Sequence, residues 1–157
     1  MKIFIVIIVS VALLFSCRRH QIPIFENAYL GMTIGDYQKV FNYTYTLKST
    51  ASKLICSLKP GFTRQHLSSL ALCVNDISDY DTAYTVYELG NDFIEKYGYP
   101  IENRESVWAG GSSKYFRWKK GLLEITYSYT YNQEPGTRGL LYDGEATIIY
   151  KTDIKNL

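Results

Sequence analysis

Between Lys114 and Tyr131 the chain alternates apolar and polar residues on both sides of a Lys120-Gly121 dipeptide. No other stretch limits the possible folds as strongly. Period-two alternation marks half-buried strands, and a glycine-containing break between two such runs marks a hairpin. With Lys120 and Gly121 as the two turn residues, Trp118 faces Leu123 and Phe116 faces Ile125 on one side. Arg117 faces Glu124 and Tyr115 faces Thr126 on the other. A slip of one residue would set Phe116 against Glu124 and turn every apolar side chain over, so the pattern specifies the buried face.

Helical spacing takes over in two other places. Thr33 and Asp36 are spaced as a capping box with Asp in place of Glu, and Ile34, Tyr37, Val40 and Phe41 recur behind them, so a helix is expected over 33–42. A second helix is expected with Asp81 as its N-cap. Val86, Gly90, Phe93, Ile94 and Tyr97 line one face of it, and Gly98 and Pro100 stop it. Strands are expected at Tyr43–Leu47, Lys53–Leu58 and Leu67–Val74, with turn chemistry from Lys59 to His66. Three more are expected at Lys114–Lys119, Leu122–Tyr131 and Ala146–Lys151, the last reached through a Gly/Pro-rich connection from Glu134 to Gly139. Helix, three strands, helix, three strands gives an α+β domain, an antiparallel sheet with two helices packed on one face. The same order allows an αβββ-αβββ duplication.

The amino end carries a different kind of signal. Lys2 is followed by an apolar run from Ile3 to Phe15, broken only by Ser10. At about 13 residues it is shorter than the roughly 20 that span a bilayer, and it fits a secretory signal peptide. Leu14-Phe15-Ser16-Cys17 resembles the lipobox of bacterial lipoproteins, with Phe15 where a small or β-branched residue is usual. The resemblance implies a signal peptide over 1–16, cleavage before Cys17, and acyl chains such as palmitate on Cys17, in a bacterial cell envelope. Each buried CH₂ contributes about 0.8 kcal/mol, so one chain holds marginally and several hold firmly. Arg18 and Arg19 would lie at the headgroups, each adding about 1 kcal/mol on an anionic surface. No Asp follows Cys17, so the inner-membrane retention signal of enterobacterial lipoproteins is missing, which favours the outer membrane. Residues 17–25 read as a tether reaching less than roughly 30 Å, which leaves 26–157 as a single domain.

Loss of residues 1–16 lowers the formal charge from +2 to +1. A near-neutral domain has no electrostatic case for nucleic acid. The partners expected are therefore the membrane, through the anchor, and an envelope protein. Tyrosine is the unusual component, with 15 residues against two histidines; it favours strands and makes low-entropy contacts at binding surfaces. Tyr127, Tyr129 and Tyr131 share a strand face with Ile125. They either extend the core or run past the helices as an exposed aromatic binding strip.

Cys56 and Cys73 remain after acylation, and an oxidising envelope permits a disulfide between them. A four-residue turn at 63–66 would set them directly opposite, within disulfide reach. Against this, Leu67, Leu70, Leu72 and Val74 share a face only if a bulge falls near Ser68-Ser69. Such a bulge breaks the register and leaves two buried free thiols. Asp76, Asp79 and Asp81 lack calcium-loop spacing and read as a helix cap and a solvated loop, so no metal or cofactor is expected.

Catalytic constellations are missing from the chain: His20 lies in the tether, His66 in a turn, and none of the familiar nucleophile, zinc or phosphate-loop motifs occurs. A non-enzymatic role is expected. The alternative is a small envelope hydrolase or an inhibitor or defence-type protein; the hydrolase would need His66 beside a carboxylate and Cys56, Cys73 or a hydroxyl. Tyr29-Leu30-Gly31-Met32-Thr33 with its helix resembles small envelope modules of the SmpA/OmlA and β-lactamase-inhibitor-protein-like group. That resemblance implies a binding or assembly module without catalytic residues. The Gly-x-Pro usual soon after this segment stands instead at Gly98-Tyr99-Pro100, and no functional residue carries over.

Overall fold

In the computed structural model, which describes residues 21–25, 27–41, 44–49, 51–136 and 139–153, the alternating runs become one antiparallel sheet of seven strands. A first meander contains β3 (Thr44–Lys48), β4 (Lys53–Thr63) and β5 (His66–Val74). A second contains β6 (Glu102–Trp108), β7 (Gly111–Lys120), β8 (Leu123–Gly136) and β9 (Gly139–Lys151). The order β3-β4-β5-β9-β8-β7-β6 means that each meander starts at an outer edge and runs inward, so its last strand meets the other's at the centre. Helices α1 (Ile34–Val40) and α2 (Tyr80–Tyr97) precede the two meanders. The α+β class is the one expected. The halves are unequal, because β6 adds a fourth strand to the second.

Both helices begin on side-chain caps. Thr33 Oγ1 accepts from the Asp36 backbone N–H at 3.1 Å and donates to the Asp36 carboxylate at 2.8 Å. Asp79, rather than Asp81, caps α2: its carboxylate accepts from the Thr82 N–H at 2.7 Å and from the Thr82 hydroxyl at 3.0 Å. Asp79 holds extended backbone, as an N-cap requires, while Asp81 lies in the first turn. Asp79→Ala is expected to cost about 1 kcal/mol, read from urea unfolding, and Asp81→Ala less than half of that. Gly98 ends α2 at φ 78°, a left-handed conformation that favours glycine.

The β7–β8 hairpin differs from its expected register by two positions. Trp118 pairs with Ile125, Phe116 with Tyr127 and Arg117 with Thr126. Lys120 stays in its strand, and Gly121-Leu122 form the loop with Gly121 at φ 59°. A glycine leading a two-residue loop supplies the positive φ that matches strand twist. Because the shift is even, every side chain keeps its face. Arg117 reaches the expected Glu124 carboxylate only diagonally, at 4.0 Å, and lies closer to a second one, with Nε 3.0 Å from Glu102 of β6.

The helix-facing side of the sheet is the core. Leu54, Cys56, Leu58, Leu70, Leu72, Ile148, Tyr150, Ile125, Tyr127, Phe116 and Trp118 are all buried there, with Val86, Leu89 and Phe93 of α2. Gly90 lets the helix come this close: a Cβ on it would stand 3.1 Å from the Phe116 ring.

The disulfide does not form in this arrangement. Ser68 bulges out of β5, so Gly61 pairs with Ser69 but Phe62 with Leu67, and Ser57 rather than Cys56 lies opposite Cys73. Cys56 is buried on the helix side with Leu54 and Leu58. Cys73, by strand alternation, points to the other side, and both thiols are free.

Ile22–Phe25, the end of the segment read as tether, form strand β1, which pairs with β2 (Ala28–Leu30). β2 is fastened to the sheet by the Gly31 N–H, which donates to the Leu67 carbonyl at 2.7 Å. Residues 1–20, with Cys17 and the apolar run, lie outside the described residues. Among the described residues no helix is long and apolar enough to cross a membrane.

Candidate binding surface

Aromatic contacts run unbroken from the core to the surface. Trp118 stacks on Phe116 at 5.5 Å and Phe116 lies nearly parallel to Tyr127 at 6.2 Å. Tyr127 meets Tyr129 at 5.9 Å and Tyr129 meets Tyr131 at 6.0 Å. From Tyr131 the row passes to Tyr142 of β9, then to Tyr80 of α2, each step 6.3 Å, and ends on Tyr84, stacked on Tyr80 at 6.1 Å.

Of the two readings of Tyr127, Tyr129 and Tyr131, core extension holds for the first two, and they are no part of an exposed strip. Tyr127 and Tyr129 are buried because α2 lies over them, and the Tyr127 hydroxyl donates to the Val86 carbonyl within that helix. Of the three, only Tyr131 is partly exposed. The exposed aromatic surface next to Tyr131 lies on α2, where Tyr80, Tyr84 and Tyr87 are 63%, 48% and 44% exposed. They recur at i, i+4 and i+7, so they form one stripe beside the Val86, Leu89 and Phe93 stripe that enters the core.

β8 and β9 extend beyond α2, so Tyr131 and Tyr142 make a floor next to this wall. Lys114 of β7 holds its ammonium 5.8 Å from the Tyr87 ring centre and 3.4 Å from the Glu105 carboxylate of β6. Two of these phenols have pKa values shifted upward. The Glu88 carboxylate raises the Tyr84 pKa above its ordinary value. Burial, then the neighbouring Tyr142 and Tyr87, raises that of Tyr131. The result is an aromatic surface with hydroxyl groups, the Glu88 carboxylate beside Tyr84 and the Lys114–Glu105 ion pair at its rim. Such a surface suits recognition, since tyrosine orders few rotatable bonds on binding.

His66 is not brought to either of the cysteines that a hydrolase could use. His66 sits at the β4–β5 turn with Nδ1 2.7 Å from the Arg64 carbonyl oxygen. Cys73 is seven residues further along the same strand, about 23 Å away at strand rise. Cys56 is enclosed in the core, and burial lifts its thiol pKa to about 11, away from reactivity. Among the described residues no group of three or more His, Cys, Asp or Glu could hold a metal ion.

Tyr80, Tyr84, Tyr87 and Tyr142 escaped the sequence reading. Their signal was present in the helical spacing of the first three, but it falls off the apolar stripe used to define α2. No protein-family model matches the chain, and neither the curated proteins nor the solved structures give a match.

Proposed function

We propose that this chain is a bacterial envelope lipoprotein, held by acyl chains on Cys17, whose α+β domain is a non-catalytic binding module. Its working surface is the tyrosine wall and floor of Tyr80, Tyr84, Tyr87, Tyr131 and Tyr142, and the occupant is an envelope protein. The observation that carries this reading is the exposure of three helix tyrosines in one stripe on an otherwise well-buried aromatic network. Aromatic residues left outside at this density mark interaction sites more often than they contribute to stability. The amino-terminal lipobox resemblance supports the address, with the outer membrane favoured by the residue that follows Cys17.

Crosslinking in the native envelope, followed by purification of the intact chain, tests both parts. The wild-type protein is expected in the membrane fraction with a discrete partner, and Cys17→Ala in the soluble fraction. A Tyr80→Ser/Tyr84→Ser variant that keeps the same partner at the same yield would remove the binding surface from the account. Retention of Cys17→Ala in the membrane would remove the anchor.

A further inference from the structure

The two ends of the sheet differ in chemistry. We infer that the end carrying the β7–β8 turn and the α2–β6 loop is a bilayer-facing surface, built to lie on anionic lipid headgroups. The inference rests on the anchoring reading above.

Three observations converge on that end. The first is where the chain enters: Ile22 pairs with Leu30, next to Gly31 and its hydrogen bond to Leu67 at the beginning of β5. Four residues, 18–21, separate Cys17 from Ile22, a span of at most about 18 Å for Cys17 to Ile22. An acylated Cys17 therefore keeps this end of β5 close to the bilayer.

The second is exposed apolar surface at the same end. Ser69 near the start of β5 is level with Lys151, which pairs with Glu124, which pairs with Lys119, so the β7–β8 turn stands beside the entry point. Leu122 in that turn is 40% exposed, and Tyr99 and Ile101 in the adjoining loop are 89% and 60% exposed. Tyrosine with an aliphatic neighbour is the composition of a membrane interface, where a ring rests at headgroup depth.

The third is charge. Lys119 and Lys120 precede Leu122, and Arg64 tips the neighbouring β4–β5 turn. The acids at this end are Glu124, ion-paired with Lys151 at 3.7 Å, Glu102, ion-paired with Arg117 at 3.0 Å, Asp36, ion-paired with Lys39 at 3.6 Å, Glu95, next to Lys96 in the last turn of α2, and Asp153. The far end carries Asp76, Asp79, Asp81, Glu105, Glu134, Asp143 and Glu145, against Lys48, Lys53 and Lys114. A nearly neutral domain is thus polarised in charge. Lysines unpaired among the described residues lie beside Leu122, Tyr99 and Ile101 at the anchor end, and an excess of acids lies at the other, where Val107 and Trp108 are also exposed. An anionic surface attracts the first set and repels the second. Tyr142 lies nine residues along β9 from Lys151, about 30 Å at strand rise, so this orientation points the tyrosine surface away from the bilayer, towards a partner.

The test uses the purified acylated protein in vesicles of phosphatidylcholine, with or without phosphatidylglycerol, and amine labelling read residue by residue by mass spectrometry. On anionic vesicles, labelling of Lys119 and Lys120 is expected to fall at least about fivefold against Lys48 and Lys53, with most of the protection lost in high salt. A Lys119→Glu/Lys120→Glu variant should still float with vesicles but leave Tyr99 as open to hydroxyl-radical oxidation as it is in detergent. Equal labelling at both ends on a protein that floats overturns this orientation and leaves the anchor standing. A protein that floats with neither vesicle type overturns both.

Discussion

Above about pH 10 the domain is expected to lose roughly 4 kcal/mol of stability per pH unit. Tyr127, Tyr129 and Tyr150 are buried, and burial is the first cause raising all three phenol pKa values well above 10.0. In the unfolded chain these phenols ionise near their ordinary value. From there upward the folded state keeps three protons that the unfolded state releases, and each contributes about 1.4 kcal/mol per unit. The sign is that of acids held neutral: the stabilisation is complete below pH 10 and is lost as pH climbs towards the folded values. Cys56, raised to about 11 from 9.0, acts in the same direction starting about one unit lower. Urea unfolding from about pH 8 to about pH 11 measures it. A midpoint that does not move over that range would mean that these side chains are not enclosed as described. Tyr127→Phe should lower the slope above pH 10 by about 1.4 kcal/mol per unit.

Trp118→Ala is expected to remove about 4 kcal/mol at neutral pH, a large share of the roughly 5–15 kcal/mol that holds a domain folded. The indole is 1% exposed and packs on Phe93 at 5.8 Å and on Phe116 at 5.5 Å. Its Nε1–H donates at 2.7 Å to the carbonyl of Gly98, the residue that ends α2. The substitution therefore opens a cavity between helix and sheet and leaves the helix end without its donor, two losses that add. Trp118→Phe keeps most of the packing and should cost clearly less. Equilibrium unfolding followed by far-ultraviolet circular dichroism separates the two. A loss below about 1 kcal/mol for the alanine variant would contradict the assigned core.

Legibility in the sequence followed strand parity. The buried faces of β7 and β8 could be read because alternation survives an even register shift, while the turn itself could not: placing Gly121 first rather than second in the loop moved every pair. The β4–β5 hairpin shows the opposite case. Its leucine pattern demanded a bulge near Ser68, and the bulge is there, but the cysteine pairing that ignored it fails because one residue of slip turns Cys56 and Cys73 to opposite faces. β6 was missed since Asn103 to Trp108 are all exposed and show no alternation of burial. The aromatic surface was half legible. Tyr131 was named from its strand, but which tyrosines stay outside depends on where α2 crosses the sheet, and no local pattern reports that crossing.

The central claim is that the tyrosine wall of α2, rather than the open face of the sheet, meets a partner. A photoreactive side chain placed at Tyr84 in the intact protein, and in a second experiment at Thr126 on the opposite face of β8, tests it in the native envelope. A discrete crosslinked partner from position 84 and none from 126 is the expected result. Crosslinks from 126 alone, or equal yields from both, would contradict it.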